Sequence, residues 1–541
     1  MAMRNDNASQ RFGSSRFAWE SELDMGGLFD QEDHSIFLGY FAGRPVFHNS
    51  NAGTTIVAGG RAGKFRDVIC RSLLSGTCLN SIVMLDPKGE GAYVSQDQTA
   101  DGKYCAYWNP TGLHGLPQDS IDFLSHLTLD SPTLISDLKV FWENLLAKGK
   151  SADSDYFIPR GRQYGEAICL AICEMQGALT FPALFEAINL IPGGGDQWLD
   201  FAFQMSKSRF PHVRAVEEEI AAARNETGNG FRGIVGELLK SVACLSDPVL
   251  MASVSPPFTM SLQDIIESEQ AWQVYLMPPV EMIQPWSMVF KSAFVSLMVL
   301  KSRAISARRI ICLIDECGQL VSGESGGFPL IPRLYSFGAG VGLVPVTVFQ
   351  STAQMNDLAP NAKDIILSSS ASTLMFAMRG DYESCRDCSR RLGTQTLEYD
   401  DSLAQERAYH ARNQAMQSLL SGGDPLQVGF ALSHQDFAAH HKTKQRRELR
   451  TIDEIMNMPA NTAYLFNENV EFPIELERRP YWEDRSCAGT FHPNPGYPPL
   501  DRVQVATRWG MRTRRVIKEP VPARFAHMPQ YRDGMWSRIE T

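Results

Sequence analysis

The fold is decided by the stretch Thr54-Thr-Ile-Val-Ala-Gly59-Gly-Arg-Ala-Gly-Lys64-Phe65, near the start of the 541-residue chain. Its first five residues are apolar or β-branched, which predicts a buried strand, and the glycines after them predict a turn. Beyond the turn, apolar residues between Val68 and Leu74 recur at helical spacing. The stretch therefore predicts a strand, a glycine turn and a helix, which together form the first half of an α/β unit.

The glycine turn has the chemistry of a phosphate-binding loop, whose pattern is G-x-x-x-x-G-K-[ST]. Backbone N–H groups at the start of a helix bind phosphate, and a lysine at the position of Lys64 reaches the terminal phosphates. Two positions depart from the pattern, because Ala58 replaces the first glycine and Phe65 replaces the hydroxyl residue that holds Mg²⁺. A glycine turn that binds no ligand is the alternative at this point. The predicted nucleotide contacts are Gly59, Gly60, Arg61, Ala62, Gly63, Lys64 and Phe65.

A second motif stands at the end of another apolar run, Arg309-Ile-Ile-Cys-Leu-Ile-Asp315-Glu316. This run predicts a strand that delivers Asp315 to a Mg²⁺ ion and Glu316 to the water that attacks the nucleotide. A third strand is predicted over Gly342–Gln350, and its final glutamine suits a sensor of the γ-phosphate. The order of the three strands predicts a nucleotide-binding core that uses ATP and Mg²⁺. The predicted catalytic residues are Lys64, Glu316 and Gln350.

One more buried strand is predicted over Ser81–Asp86, where the residues between the serine and the aspartate are all apolar. Continuous apolar runs of this kind are typical of parallel strands that are covered on both faces. Open α/β sheets place their sites at the carboxyl ends of such strands. We therefore expect Asp86 and Lys88 to lie beside the nucleotide, in a supporting role rather than a catalytic one.

The character of the sequence changes between about residues 112 and 262, where helical periods dominate and strand-like runs are nearly absent. This pattern predicts an all-helical domain inserted into the α/β core. The α/β pattern then returns, and we interpret a polar stretch at 401–450 as a surface excursion. The predicted domains are an N-terminal lead-in that packs on the motor domain (1–50), the first part of the nucleotide-binding domain (51–112), the all-α domain (113–265), the second part of the nucleotide-binding domain (266–484) and a basic C-terminal tail (485–541).

Charge is distributed unevenly along the chain, whose net charge is −10. Between residues 485 and 541, ten lysines and arginines oppose four acidic residues, so this tail is basic and the rest of the chain is acidic. A basic tail favours an anionic partner, and a solvated, disordered tail is the alternative. No apolar run approaches the roughly 18–20 residues that a membrane helix needs, which predicts a cytoplasmic chain.

Several motifs, in order along the chain, resemble the type IV secretion coupling proteins, the TraG/TraD-like motor ATPases of bacterial conjugation and effector export. The most distinctive is Val83-Met-Leu-Asp-Pro-Lys-Gly-Glu90, which is followed by Trp108-Asn-Pro110. The segments Leu313-Ile-Asp-Glu316 and Phe349-Gln-Ser-Thr-Ala-Gln354 are similar to the family's Walker B and glutamine motifs. Further matches lie at 15–39, 381–396 and 450–459, so the resemblance spans most of the chain.

The resemblance implies a RecA-like P-loop NTPase domain with an inserted all-α domain, assembled as a hexameric ring with ATP between subunits. It implies that ATP turnover drives the recruitment and transfer of DNA, or of a protein substrate, to the secretion channel. The implied partners are further copies of the chain, a relaxase, relaxosome or effector protein, single-stranded DNA and a membrane protein of the channel. The implied location is peripheral, at the cytoplasmic face of the inner membrane.

Three features depart from the family pattern. No transmembrane hairpin precedes the P-loop in this sequence, and Phe65 stands where the family has a small or hydroxylated residue. Ala339 stands where the family commonly has an arginine, for which Arg333 or Arg379 is a candidate substitute. A nucleotide-binding docking platform with weak or absent hydrolysis is therefore the alternative function. A DNA-pumping ATPase of chromosome segregation is a further alternative on fold alone.

Overall fold

The computed structural model describes residues 13–147, 154–224, 230–321, 327–400, 402–422, 424–426, 429–430 and 442–540. The chain divides into two compact units. The larger unit contains residues 19–378 and 459–541, and the smaller unit contains the residues up to Ala18 together with 379–458. Every residue predicted to bind nucleotide lies in the larger unit. Among the described residues, we find no helix with the length and apolar character needed to cross a bilayer.

The larger unit is built on a mixed sheet with eleven strands in the described part of the chain. Their spatial order is Arg44–His48, Ile36–Phe41, Ile474–Glu477, Thr462–Asn467, Ser370–Phe376, Gly53–Ala58, Leu343–Phe349, Ile310–Ile314, Ser81–Leu85, Trp272–Leu276 and Tyr104–Trp108. The last seven strands run parallel to one another, and their apolar residues are buried. The first four extend one edge of the sheet as antiparallel strands. Continuous apolar runs are expected of the parallel strands, because helices cover both of their faces.

The order of the parallel strands brings the predicted motifs to one edge of the sheet. The P-loop strand, Gly53–Ala58, lies between Ser370–Phe376 and Leu343–Phe349. On the other side of Leu343–Phe349 lies the Walker B strand, Ile310–Ile314. Since parallel strands end at the same edge, the glycine turn, Gln350 and Asp315 follow neighbouring strand ends.

The helices of the core begin and end where the local sequence directs them. The helix Leu330–Val341 stops at Gly342, whose φ of +78° is a left-handed conformation that glycine adopts without strain. The helix Leu262–Glu267 starts with a capping box, in which Ser261 and Asp264 each accept the other's backbone N–H. The other core helices are Glu20–Met25, Cys70–Leu73, Glu90–Val94, Ser287–Arg303 and Ala362–Ser369. A π-helical turn over Phe65–Ile69 precedes Cys70–Leu73.

An all-helical insertion connects two neighbouring strands of the sheet, Tyr104–Trp108 and Trp272–Leu276. Its helices are Leu134–Leu145, Ser154–Gln176, Phe181–Gly193, Asp196–Ser206, Pro211–Ala223, Gly230–Val242 and Pro248–Ser253. A short parallel pair, Ile121–Asp122 with Met260–Ser261, joins the entry of the insertion to its exit. The predicted fold class, an α/β core with an all-α insertion, is confirmed.

The smaller unit contains a helix, Tyr382–Leu392, and an antiparallel hairpin of Thr394–Asp400 with Lys442–Glu448. Its other helices include Ser402–Leu420 and Ile452–Met456. The stretch at 401–450, which we expected to be a surface excursion, thus contributes regular structure to a separate unit. Within this stretch, residues 401, 423, 427–428 and 431–441 lie outside the described part of the chain.

The C-terminal segment differs from the expected basic tail, because residues 485–540 are folded. The strands Arg502–Thr507, Gly510–Pro520 and Met535–Ile539 form an antiparallel sheet. Apolar side chains of this sheet share a buried cluster with Cys70 and Leu74 of the P-loop helix. The Gln530 amide also accepts a hydrogen bond from Cys105 N–H and donates one to the Lys103 carbonyl, both at 3.0 Å. These contacts attach the segment to the core, which a solvated tail does not do.

Candidate nucleotide-binding site

The P-loop has a strained backbone, as phosphate-binding turns often do. Gly63 has a φ of +81° and Arg61 a φ of +57°. Glycine adopts such angles freely, whereas a residue with a side chain pays about 1 kcal/mol or more for them. Strain that persists in this way is concentrated at functional sites. The loop is therefore held in one shape by its surroundings rather than by the preference of Arg61.

Two neighbouring glycines of the loop differ in what surrounds them. A Cβ added to Gly59 would lie 2.6 Å from the Ala377 carbonyl oxygen, too close for any ordinary contact. A Cβ added to Gly60 would meet nothing within 4 Å. The loop therefore passes so close to the strand end at Phe376 that only glycine fits at position 59, while position 60 has room for a side chain.

Lys64 lies at the start of the helical turn and is buried, with an exposed fraction of 9%. Its ammonium donates a hydrogen bond of 3.2 Å to the Ala58 carbonyl, so the side chain folds back over the loop. The charges of Lys64 and Lys88 both act to lower the pKa of Asp315. The loop lysine and the aspartate that follows the strand Ile310–Ile314 thus belong to one electrostatic site.

Burial dominates the electrostatics of Asp315 and raises its pKa to about 6, with a further contribution from Glu316. The Asp315 carboxylate accepts the backbone N–H of Glu316 at 3.0 Å. Glu316 itself has a φ of +55°, which is a second strained position at the site. A buried carboxylate next to another acid is poorly compensated, and a cation bound here would supply positive charge.

Gln350 and Glu316 were predicted separately and are in direct contact in the structure. The Gln350 amide donates a hydrogen bond of 2.7 Å to a carboxylate oxygen of Glu316. The backbone N–H of Gln350 in turn donates to the side-chain oxygen of Gln354 at 2.9 Å. The glutamine at the end of one strand therefore orients the glutamate at the end of its neighbour.

A cavity of about 1020 Å³ brings most of the predicted residues together. Its walls include the loop from Gly60 to Phe65, and it also contacts Lys88, Asp315, Glu316 and Gln350. Asp86 is not part of this lining. It is buried and accepts the backbone N–H of Ala92 at 2.8 Å, and burial raises its pKa to about 7. Asp86 therefore supports the strand end from behind, while Lys88 faces the cavity.

Arg478 is a site residue that the sequence reasoning missed. Its guanidinium donates to the Ala62 carbonyl in the P-loop at 2.9 Å and to the Asp67 carboxylate at 2.8 Å. It also stacks on the ring of Phe376, 3.9 Å from the centroid. The two charged side chains are almost fully buried, with exposed fractions of 1% and 2%. No local motif announces this contact, because more than four hundred residues separate the partners.

Phe65 occupies the position at which a P-loop normally presents a hydroxyl group to Mg²⁺. Its ring makes an edge contact with Tyr481, with 6.5 Å between centroids, and it packs against the buried cluster of the C-terminal segment. This environment explains the substitution, since a serine or threonine there would leave the cluster without its partner. The aromatic side chain belongs to the packing between the P-loop and the C-terminal segment.

The donor set nevertheless fits Mg²⁺ bound together with phosphates. Mg²⁺ is commonly held by one or two carboxylates plus substrate phosphates and water, and Asp315 offers a suitable oxygen. The described residues contain no group of three or more His, Cys, Asp or Glu side chains that could hold a metal ion by themselves. A cation at this site would therefore depend on the nucleotide for most of its ligands.

The candidate substitutes for the missing arginine lie in different settings. Ala339 is exposed on the helix Leu330–Val341. Arg333 of the same helix makes two hydrogen bonds to Glu143, at 3.1 and 3.2 Å, so it is already engaged with the all-α domain. Arg379 is exposed and belongs to the smaller unit.

Comparison with known proteins places the chain in a family. The profile of the type IV secretory system conjugative DNA transfer family matches residues 17–419. The chain belongs to this family. As a member of this family, the chain is a type IV secretion coupling protein. The comparison with curated protein sequences gave no match.

Solved structures agree with this family in fold. The bacterial conjugative coupling protein TrwBΔN70, in a trigonal form with sulphate, is 16% identical, with a TM-score of 0.56. The plasmid coupling protein TrwB with the ATP analogue ADPNP, and the same protein with ADP and Mg²⁺, are each 15% identical, with TM-scores of 0.55. Each match covers 86% of this chain and 93% of the other. The likeness shows a shared fold, a RecA-like P-loop NTPase domain with an all-α domain.

Proposed function

We propose that this type IV secretion coupling protein binds ATP with Mg²⁺ in the described cavity and hydrolyses it to drive substrate transfer. The observation that carries the proposal is the contact of Gln350 with Glu316, at the edge of a cavity that also holds Lys64 and Asp315. ATP hydrolysis requires a P-loop lysine, an aspartate that binds the metal, a glutamate that acts as general base and a polar side chain that senses the γ-phosphate. TrwB, which shares the fold, has been solved with an ATP analogue and with ADP and Mg²⁺.

In this proposal each residue has a separate task. The backbone N–H groups of Gly59 to Phe65 and the ammonium of Lys64 bind the phosphates. Asp315 holds Mg²⁺, which when bound neutralises the charge of the phosphates. Glu316 accepts a proton from the attacking water, and Gln350 keeps that carboxylate oriented while it contacts the γ-phosphate. Asp86 and Lys88 support the strand end beside the site.

Membership of the family supports a proposal about the wider partners. We propose that copies of the chain assemble into a ring, a hexamer on assembly, at a membrane protein of the secretion channel on the cytoplasmic face of the inner membrane. The ring receives a relaxase, relaxosome or effector protein through the all-α domain and moves single-stranded DNA. An arginine from a neighbouring copy, such as Arg379, would complete the site in place of Ala339.

ATP hydrolysis by the purified chain, with and without single-stranded DNA, tests the proposal. Lys64→Ala should lose nucleotide binding, whereas Glu316→Gln should keep binding and lose turnover by about 10²–10⁴-fold, the usual worth of a general base. Glu281→Gln, which changes an exposed acid outside the cavity lining, is the matched control and should behave like the wild type. Unchanged turnover in Glu316→Gln would refute the assigned mechanism.

A second function is favoured by the packing of Phe65 against Tyr481. Because this ring fills the place of the Mg²⁺-binding hydroxyl, the chain is also a candidate for a docking platform that binds nucleotide without turning it over. Lys64-dependent binding with no turnover, with DNA and membrane partner present, would establish the platform and exclude the motor.

A further inference from the structure

The C-terminal segment contributes a wall to the nucleotide cavity. Residues between Tyr481 and Gln504 line part of the cavity, and they include Trp482, Phe491 and Tyr497. The family profile ends at residue 419, so this wall lies outside the part of the chain that the family defines. Its chemistry is aromatic, whereas the P-loop side of the cavity is charged and polar.

The wall is fixed to the P-loop helix by packing and hydrogen bonds. Tyr481 contacts the rings of Phe65 and Phe491, with centroids 6.5 and 4.9 Å apart. The backbone N–H of His492 donates to the carbonyl of Val94, the last residue of the helix Glu90–Val94, at 2.8 Å. The wall therefore has a defined position relative to Lys64, since the next residue, Phe65, packs against the same buried cluster as the wall.

Two aromatic side chains of the wall keep part of their surface accessible, although Trp482 also packs against the cluster and makes an edge contact with Tyr481, with 5.0 Å between centroids. Tyr481 and Phe491 are buried within the cluster, but Trp482 is half-buried and Tyr497 is 75% exposed. Trp482 lies beside the P-loop helix, where the Arg66 guanidinium is 6.0 Å from its ring centroid. Large aromatic faces that border a cavity and remain accessible are suited to stacking on a flat ligand ring.

Polar groups lie beside these rings. Asn494, Arg502 and Gln504 also line the cavity, and their amides and guanidinium offer both donors and acceptors. Heteroaromatic bases are recognised by stacking on their faces and hydrogen bonds to their edges. At about 1020 Å³, the cavity has room for a base and ribose in addition to the phosphates at the P-loop.

We propose that residues 481–504 form the base-binding subsite of the nucleotide cavity, with Trp482 and Tyr497 as the stacking faces. The subsite takes the base of a nucleoside triphosphate whose phosphates lie on the P-loop, so it rests on the proposed nucleotide-binding function. Asn494, Arg502 and Gln504 contact the base edge or the ribose. The C-terminal segment thereby acts as part of the ATP site in the same chain.

Binding of ATP compared with binding of inorganic triphosphate separates the base subsite from the phosphate site. The wild type should bind ATP at least about tenfold more tightly than triphosphate, since base stacking on an aromatic side chain contributes at this level. Trp482→Ala and Tyr497→Ala should each weaken ATP binding about tenfold while leaving triphosphate binding unchanged. Trp482→Phe should retain most of the ATP affinity.

Trp509→Ala is the matched control, because Trp509 is 78% exposed in the same C-terminal sheet and does not line the cavity. It should bind both ligands like the wild type. Equal affinities for ATP and triphosphate in the wild type, or wild-type ATP affinity in Trp482→Ala and Tyr497→Ala, would overturn the subsite and leave the P-loop site intact. Failure of the wild type to bind either ligand would instead refute the nucleotide site, and the subsite with it.

Discussion

Replacement of Arg478 by leucine should destabilise the P-loop side of the core. It should lower the free energy of unfolding more than the replacement of any exposed arginine does. Arg478 and Asp67 form a pair at 2.8 Å, with exposed side-chain fractions of only 1% and 2%. The leucine variant leaves the Asp67 carboxylate buried, with only the half-exposed Arg66 beside it. Breaking a buried pair by removing one partner costs about 3–5 kcal/mol, because the remaining charge is uncompensated.

Further hydrogen bonds are lost in the same variant. Arg478 also donates to the carbonyls of Ala62 and Ala460, and each lost bond adds about 1 kcal/mol. Ala62 belongs to the P-loop, so we expect weaker ATP binding together with the loss of stability. Denaturant titration gives the free energy of unfolding, and titration with ATP gives the affinity.

The neighbouring arginine provides the control. Arg479 pairs with Glu477 at 2.6 Å, but both side chains are about 40% exposed. Exposed pairs of this kind contribute about 0–1 kcal/mol, so Arg479→Leu should stay near the wild type. If the two variants lose similar amounts of stability, the buried pair does not hold the loop and the reasoning is refuted. The double variant Arg478→Leu with Asp67→Leu should recover part of the loss, since it removes the unpaired charge.

Three other substitutions have expected outcomes. Gly59→Ala should weaken ATP binding by at least about tenfold, because its Cβ meets the Ala377 carbonyl. Gly60→Ala should bind ATP within about twofold of the wild type. Equal effects of the two variants in an ATP titration would contradict the loop geometry. Phe65→Thr should raise the rate of ATP hydrolysis at limiting Mg²⁺ and lower the free energy of unfolding by about 1–2 kcal/mol. Phe65→Ala should show only the loss of stability. An identical Mg²⁺ dependence of hydrolysis in the two variants would rule out a role for the threonine hydroxyl. Burial lowers the pKa of His48 to about 4, so between pH 6.5 and 4 the unfolded chain binds a proton that the folded chain does not. At pH 5 this lowers the free energy of unfolding of the wild type by about 2 kcal/mol, a loss that His48→Gln does not share. The difference in free energy of unfolding between wild type and variant should therefore narrow from pH 7.5 to pH 5. A difference that stays constant over this range would exclude the effect.

The central strands and the all-α insertion could be predicted from the sequence because their signals are local. Ile310–Ile314 and Ser81–Leu85 are continuous apolar runs, and such runs have few outcomes other than a buried parallel strand. The acids at their ends could be placed at one edge of the sheet for the same reason. The contact between Gln350 and Glu316 follows from that placement, although its geometry does not.

The far wall of the site could not be predicted, because its signals are long-range. The prolines and positive charge of residues 485–541 favour a solvated tail. A weaker signal for a strand, the alternation of Val503 and Val505 with polar neighbours, lies within the same segment. That strand is buried in a cluster that includes Cys70 and Leu74, more than four hundred residues earlier in the chain. Arg478 was missed for the same reason, since its burial depends on Asp67.

The position of Tyr481 and Tyr497 in the cavity has a consequence for synthesis of the chain. A ribosome produces the P-loop first, and it must add several hundred residues before it reaches the aromatic wall at residues 481–504. Domains fold as their residues become available during synthesis, so the early core can form while its ATP site is still open on one side. A chain cut short between Gln350 and Tyr481 would keep Lys64, Glu316 and Gln350 and lack the aromatic wall. On the proposal that this wall binds the base, a complete site requires a chain translated at least to Gln504.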